Sequence, residues 1–285
     1  MTDFVLNALN GISYGMILFL LASGLSLIMG VMGILNLTHG AMYLVGAYVG
    51  WTVAVRLGFS FWLGALAGGL LAGLVGLIIE RLCIARLYGR LDQQVLVTWG
   101  FMLILTNLSI WIWTAQPRAP FTAPLMDGPV LIAGIAYPAS RLGIILIGLV
   151  LAVGLWWLQD KTRIGAIVRA GMDDQEITMA LGINLRRVST LVFFLGAFIA
   201  GFAGVIGAQL IGVAPALAID VLLLALVVVI VGGVGSVQGA LLGGVLIGLI
   251  DAFGKAISPA VSMFFIYLTM IVILLVRPSG LLRRA

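Results

Sequence analysis

Charge is scarce in this sequence. Only 9% of its 285 residues are Asp, Glu, Lys or Arg, whereas 63% are hydrophobic, and the mean hydropathy is +1.26. A soluble domain could not cover so much apolar surface with so few charged side chains, so the composition excludes soluble classes and indicates a bilayer as the solvent. The sequence predicts an all-α fold, a polytopic transmembrane helical bundle of the inner-membrane type. The 38 glycines agree, because small residues let transmembrane helices approach closely.

Cysteine and histidine occur once each, as Cys83 and His39. A single cysteine excludes an intramolecular disulfide framework. No P-loop signature is present, and the glycines Gly233, Gly235 and Gly239 lie within apolar segments with no acidic ribose partner after them, so they do not form a nucleotide site. We therefore predict no catalytic residue, no metal site and no cofactor in this chain, and no nucleic-acid partner.

Lysine and arginine are missing from the first ten residues, which therefore lack the positive region of a cleavable signal peptide. The apolar runs along the chain are 12–29, 37–55, 61–79, 95–114, 142–158, 191–212, 219–234, 237–250 and 261–276. Several are shorter than the roughly 20 residues that a perpendicular span requires, notably 37–55 and the pair on either side of Gly235 and Ser236. The sequence predicts about eight to nine spans, some of them broken or re-entrant.

Basic residues divide unevenly between the two sides of these spans. Eleven of the 15 fall on the side of the segment 160–187: Arg81, Arg86, Arg90, Lys161, Arg163, Arg169, Arg186, Arg187, Arg277, Arg283 and Arg284. The other four are Arg56, Arg118, Arg141 and Lys255. Because cytoplasmic loops retain an excess of Lys and Arg, we predict that the segment 160–187 and the C-terminus are cytoplasmic.

The segment 160–187 holds nine of the 25 charged side chains and cannot lie in hydrocarbon. Its centre has the pattern of a short amphipathic helix from Asp173 to Leu181. Asp173 and Glu176 have capping-box spacing, and Gly182 offers a left-handed stop. The apolar face comprises Ile177, Ala180 and Leu181. A helix of about nine residues is marginal alone, so it must dock either on its own bundle or in a groove of a soluble partner.

A weak internal similarity relates residues 30–55 to 230–254. The aligned segments 37–46 and 236–245 share a polar-Gly-Ala step, and each follows a glycine-containing break. The match is either a parallel repeat or a chance product of glycine-rich sequence. Paired breaks in corresponding halves point to a solute site, because interrupted helices leave backbone groups free. The predicted substrate pathway comprises Asn36, His39, Gly40, Gly235, Ser236, Gln238 and Gly239.

Two further alternatives stay open at this point. His39 can instead be a neutral imidazole that is hydrogen-bonded within helix-helix contacts. The chain can also be an ion-coupled secondary transporter, although such a carrier usually needs acidic residues across the bilayer. Asp220 and Asp251 fall near predicted span ends, where a carboxylate can remain hydrated, and do not form such a chain.

Four segments in the same order resemble one family over nearly the whole chain. They are Gly-Ile-Leu-Asn-Leu-Thr-His-Gly at 33–40, Arg-Ala-Gly-Met-Asp-Asp-Gln-Glu-Ile-Thr-Met-Ala-Leu-Gly-Ile-Asn at 169–184, Gly-Gly-Val-Gly-Ser-Val-Gln-Gly-Ala at 232–240, and Arg-Pro-Ser-Gly-Leu at 277–281. The chain resembles the permeases of branched-chain amino acid ABC importers, and more closely the smaller of their two permease types. It departs from the family's pattern at Ala41, often acidic, and at Gln238, commonly proline.

The resemblance implies a single integral-membrane permease domain over residues 1–285 in a bacterial inner membrane. It implies a second permease subunit of the larger type, or a homodimer, and a periplasmic solute-binding protein. Two cytoplasmic ATPase subunits would bind and hydrolyse ATP, so this chain would be no enzyme. The helix from Asp173 to Leu181 would be the coupling helix on those ATPases. The solute would be a branched-chain or related amino acid; urea or a short amide is the alternative, because relatives that handle them share the framework.

Overall fold

The computed structural model describes residues 2–132 and 134–282, without the side chains of Ile132, Ile135, Asp173, Gln175 and Glu176. Arg283 and Arg284, which the basic-residue count includes, lie outside the described residues. Most of the described chain is helical: α1 (Thr2–Met32), α2 (His39–Trp51), α3 (Phe61–Leu82), α4 (Leu91–Trp113), α5 (Ala139–Lys161), α6 (Arg163–Asp173), α7 (Gln175–Ala180), α8 (Leu185–Ile211), α9 (Leu217–Gly232), α10 (Val237–Ile257) and α11 (Ser262–Val276). The predicted all-α bundle is confirmed, apart from one small hairpin of β1 (Pro129–Ile132) and β2 (Ile135–Pro138).

Seven helical stretches within the described residues are long and apolar enough to cross a membrane: α1, α3 with the turn after it (Phe61–Arg86), α4, α5, α8, α10, and α11 with the 3-10 turn before it (Pro259–Val276). The helix α9 is apolar but has only 16 residues. The helix α2 has 13 residues and continues as a π-helix over Thr52–Arg56. These two correspond to the short apolar runs 219–234 and 37–55.

The apolar run 237–250 forms the first part of α10, which continues to Ile257. Lys255 lies one turn after Asp251, and its Nζ is 2.6 Å from the Asp251 Oδ2. This i,i+4 pair lets the helix continue through two charged residues. The expectation that the Asp251 carboxylate can be hydrated stays a prediction: the residue is 6% exposed, is paired with Lys255 and lines an open pocket.

The centre of the bundle is formed by α1 and α8, whose side chains are mostly buried. Glycines permit the close contacts around them. A Cβ at Gly46 of α2 would stand 2.2 Å from the carbonyl oxygen of Gly201 of α8, and one at Gly15 of α1 would stand 2.6 Å from that of Gly244 of α10. In a membrane, where lipid is as apolar as the side chains, such backbone proximity is a main source of helix association.

Both predicted breaks are non-helical. The first covers Gly33 to Thr38, with Gly33 at φ +64°, and it is held against α4 by the Thr38 hydroxyl, which donates to the carbonyl of Thr98 at 2.8 Å. The second follows α9, with Gly233 at φ +103° and Gly235 at φ +81°. Positive φ values are inexpensive only for glycine, which explains why glycines punctuate these positions.

The charged segment contains two helices rather than one. The prediction that a helix starts at Asp173 was wrong, because Asp173 is the last residue of α6. Asp174 is extended and caps α7, its Oδ1 accepting from the Ile177 N–H at 2.9 Å. The proposed capping box lies outside the described residues, since the side chains of Asp173 and Glu176 are not described. Gly182 takes the left-handed conformation that was predicted, at φ +81°.

The two ends of the bundle differ in chemistry. At one end, called the basic end, lie Arg81, Arg86, Arg90, Lys161, Arg163, Arg169, Arg186, Arg187 and Arg277. The opposite end, called the hairpin end, carries the segment 114–138 with its two strands. This segment is tied to the α8–α9 connection by paired backbone hydrogen bonds between Arg118 and Val213, at 2.8 and 3.1 Å. The C-terminal Leu281 and Leu282 donate to carbonyls of Val231 and Gly232 and so close the end of α9.

Candidate functional site

The polar residues of the first break are buried within the bundle. Asn36 and His39 are both fully buried. The His39 Nε2 lies 3.0 Å from the carbonyl oxygen of Leu21. A carbonyl can only accept, so Nε2 carries the proton, while Nδ1 has no partner among the described residues. This is the hydrogen bond that the packing interpretation of His39 requires; its place in a solute pathway stays a prediction.

The glycines of the predicted pathway lie at helix crossings. A Cβ at Gly40 would stand 2.0 Å from the carbonyl oxygen of Ala218 on α9. A Cβ at Gly239 would stand 2.2 Å from that of Gly232. Both positions therefore lie at backbone contacts that exclude any larger residue without movement of the helices.

The second break is held by side chains from three elements. Ser236 caps α10, its hydroxyl oxygen accepting from the Gly239 N–H at 2.9 Å. The Gly235 N–H donates to the Ser26 hydroxyl on α1 at 2.9 Å, and its carbonyl accepts from the Gln159 Nε2 on α5 at 2.8 Å. Gln238, by contrast, is exposed. Both backbone polar groups of Gly235 thus have side-chain partners.

The structure brings the second break against α1 and α6. A Cβ at Gly30 of α1 would stand 2.7 Å from the Gly235 Cα and 2.9 Å from the Met172 Cε of α6. Met172 and Gln159 were missed by the sequence reasoning. The one signal was that Gln159 is a polar residue at the end of an apolar run. Met172, within the segment 160–187, and Gln159, directly before it, both contact Gly235 of the second break.

The exposed side chains of α7 that the structure describes are apolar. Ile177, Met179 and Leu181 are 60%, 53% and 74% exposed, and Ala180 is exposed as well. These four residues are called the α7 surface. Behind them, Thr178 is buried and its hydroxyl donates to the Asp174 carbonyl at 2.6 Å. An apolar patch at the most polar end of a membrane protein is typical of a protein contact.

Hydrogen bonds between side chains join the basic ends of α3 and α8. The carboxylate of Glu80 is buried and accepts from the Tyr88 hydroxyl at 2.5 Å and from the Thr190 hydroxyl at 2.9 Å. Burial, followed by the hydrogen bond to Glu80, raises the pKa of Tyr88 above its ordinary value. Tyr88 therefore stays a neutral donor at physiological pH, and Glu80 holds the start of α8 in place.

Comparison with known proteins identifies the family. Residues 7–274 match the family described as the permease component of the branched-chain amino acid transport system. The chain belongs to this family. As a member of a transport permease family that is not itself enzymatic, and with seven apolar helices, it is a multi-pass membrane transport protein.

Two relatives are similar to this chain over nearly the full length of both proteins. The chain is 28% identical to the high-affinity branched-chain amino acid permease protein BraD of Pseudomonas aeruginosa, over 96% of this chain and 94% of BraD. It is 29% identical to LivH of Escherichia coli K12, over 99% and 96% of the two chains. The match to LivM of the same organism covers only 68% of LivM. The similarity is therefore to the LivH type.

A solved structure supports the fold. PsaBC from Streptococcus pneumoniae, determined in complex with a Fab, superposes with a TM-score of 0.52 at 13% identity, over 95% of this chain and 91% of that chain. At this identity the likeness concerns the fold alone.

Proposed function

We propose that this chain is the permease subunit of an ATP-binding-cassette importer that moves branched-chain or related amino acids across the bacterial inner membrane. The family match and the transport functions named for BraD and LivH support the solute class. The observation that carries the energy-coupling part is the α7 surface, which leaves three large apolar side chains exposed at the basic end.

The chain crosses the membrane nine times in this proposal. Helices α2 and α9 are the two short crossings, and the breaks after α1 and α9 lie on the side of the basic end. An odd count puts the N-terminus outside and the C-terminus in the cytoplasm, in keeping with the excess of basic residues there. Residues 1–285 form a single permease domain, and the segments 30–55 and 230–254, each of which contains one of the two breaks, are a weak internal repeat.

The assembly has three kinds of protein partner besides lipid. A second permease subunit of the LivM type, or a second copy of this chain, completes the pathway. Two cytoplasmic ATPases bind and hydrolyse ATP, so this chain needs no cofactor of its own. A periplasmic binding protein delivers the solute at the hairpin end.

Coupling follows from how α7 is connected to the bundle. The ATPases would hold the α7 surface in a groove, and the neighbouring cations Arg81, Arg186 and Arg187, which line a cavity of about 430 Å³, would face the rim of that groove. Displacement of α7 would move α6, and Met172 of α6 packs against Gly235. Tightly packed elements transmit such movement as rigid bodies. The second break is therefore the first part of the pathway to respond.

The substitution Leu181→Asp tests the coupling assignment. A charge in the apolar groove would be desolvated without a partner, so we expect the ATPases to be lost from the purified complex while membrane insertion is unchanged. The matched control is Leu125→Asp, because Leu125 is 90% exposed at the hairpin end, away from the ATPases. Co-purification of the ATPases at unchanged yield with Leu181→Asp would contradict the assignment.

Urea or a short amide is the second candidate solute, favoured by the departures from the family's pattern at Ala41 and Gln238. Parallel uptake assays with labelled leucine and labelled urea distinguish the two. We expect ATP-dependent uptake of leucine that exceeds uptake of urea. An ion-coupled carrier would instead take up solute without the ATPases.

A further inference from the structure

A pocket of about 380 Å³ opens at the hairpin end between α1, α5, α8 and α10. Its polar lining comprises Asn10, Tyr14, Arg141, Asp251 and Lys255. We propose that this pocket receives the solute on the outer side and holds a zwitterionic α-amino acid with an aliphatic side chain. The proposal rests on the proposed function, for which it supplies the site.

The negative charge of the pocket is the carboxylate of Asp251. It is nearly buried, and its only ion-pair partner among the described residues is Lys255, at 2.6 Å. The Lys255 side chain is 56% exposed, and its Nζ lies 5.3 Å from the ring centre of Tyr14. A buried carboxylate requires a cation, but this one is long, flexible and at the mouth of the pocket. The α-ammonium group of a solute can therefore share Asp251 with Lys255 or displace it.

The positive charge that is fixed in place is Arg141. Its guanidinium donates to the Asn10 Oδ1, which also accepts from the Tyr137 hydroxyl at 3.1 Å. This contact and a hydrogen-bond interaction with the Tyr137 side chain orient Arg141. A guanidinium carries five N–H donors, so donors remain for a solute. The planar guanidinium matches a carboxylate in two-point geometry. The pocket thus presents an oriented cation for an α-carboxylate and an anion for an α-ammonium, whereas urea would satisfy neither charge.

The remaining wall is apolar. Leu210 and Ile211, at the end of α8, both line the pocket and are half-buried. Contact with an aliphatic side chain would remove apolar surface from water on both partners. A cation, an anion and an adjacent aliphatic wall match the carboxylate, the ammonium group and the side chain of a branched-chain amino acid.

Polar groups continue inward from the pocket. Ser13 follows Asn10 by three residues on the same face of α1, and the Tyr43 hydroxyl lies against Gly207 of α8. The hydroxyls of Ser13 and Tyr43 are buried and have no hydrogen-bond partner within the part of the chain that the structure describes. Buried polar atoms without partners are costly, so their presence between α1 and α8 indicates a direction in which a polar solute can be passed on.

The test uses the complete complex in proteoliposomes, with ATP and leucine-loaded binding protein. Arg141→Gln and Asp251→Asn each remove one charge-assisted contact, so we expect the maximal rate of leucine transport to fall about tenfold or more. The controls Arg56→Gln and Asp127→Asn make the same chemical changes at exposed positions of the hairpin end and should transport normally. Normal transport by both pocket variants, at matched abundance, would overturn the proposal. Absence of leucine transport by the unmodified complex would instead reject the proposed function.

A second measurement addresses the pocket without altering its charges. Leu210→Cys, in a Cys83→Ser background, is treated with a membrane-impermeant thiol reagent in the assembled complex. We expect excess leucine to slow labelling several-fold and urea to leave it unchanged. Equal labelling rates with and without leucine, or equal protection by leucine and urea, would overturn the proposal even if the charge variants fold poorly.

Discussion

Replacement of Gly40 by alanine tests the packing of the first break against α9. Gly40 is the second residue of α2 and is buried. A Cβ at this position would stand 2.0 Å from the Ala218 carbonyl oxygen and 2.8 Å from the Leu222 Cβ. The nearest atom belongs to the backbone, so no side-chain rotation can relieve the overlap.

The size of the effect follows from that distance. An ordinary Cβ contact begins at 3.4 Å, so α2 and α9 would have to separate by more than 1 Å. Overpacking of this kind costs about 1–3 kcal/mol. Alanine also gains up to about 1 kcal/mol over glycine in helix propensity, which offsets part of the loss. We expect Gly40→Ala to lower the free energy of unfolding by about 2 kcal/mol.

Thermal unfolding of the purified permease measures the effect, because 1 kcal/mol corresponds to about 2–4 °C in the Tm of a domain of somewhat smaller size. The control is Gly100→Ala in α4, where a Cβ would meet no atom within 4 Å. It should leave the Tm unchanged or slightly higher. If Gly40→Ala melted and transported leucine like the unmodified protein, α2 and α9 could not cross as described.

Two other predictions follow from the same contacts. Gln159→Ala removes the donor to the buried Gly235 carbonyl and should lower the free energy of unfolding by about 1–3 kcal/mol, measured as a lower Tm. The control is Gln93→Ala, at an exposed position. If the two variants melted at the same temperature, Gln159 would not support the second break. In a Cys83-free background, Leu125→Cys should react with an impermeant thiol reagent added to intact cells, whereas Met179→Cys should not; labelling of Met179→Cys alone would invert the orientation.

Properties that depend on composition and short spacing could be predicted from the sequence. Scarce charge predicted the membrane bundle, and glycine clusters predicted the two breaks at Gly33 and at Gly233 to Gly235. The uneven basic residues predicted which helix ends lie together. The left-handed conformation of Gly182 was predicted correctly, because it depends on the residue type: glycine has no Cβ to oppose a positive φ.

Local patterns were less reliable where neighbouring residues offered equivalent signals. Asp173 and Asp174 are both good helix caps by type. The end of α6 decided between them, since Asp173 is used to complete that helix. Likewise, the end of an apolar run did not mark the end of α10, which continues through the paired residues Asp251 and Lys255.

The candidate site depended on tertiary structure. His39 and Gly40 align with Gln238 and Gly239 in the internal similarity, yet their environments are set by α1, α8 and α9. The pocket joins Asn10, Arg141 and Asp251, which are more than 100 residues apart in the chain. The amino-acid sequence by itself determined the solvent of the protein and the places where its helices break, because these depend on residue type and on neighbours within a turn or two. Which polar groups meet was decided only by the tertiary structure, because a contact between distant helices depends on the shapes of both facing surfaces.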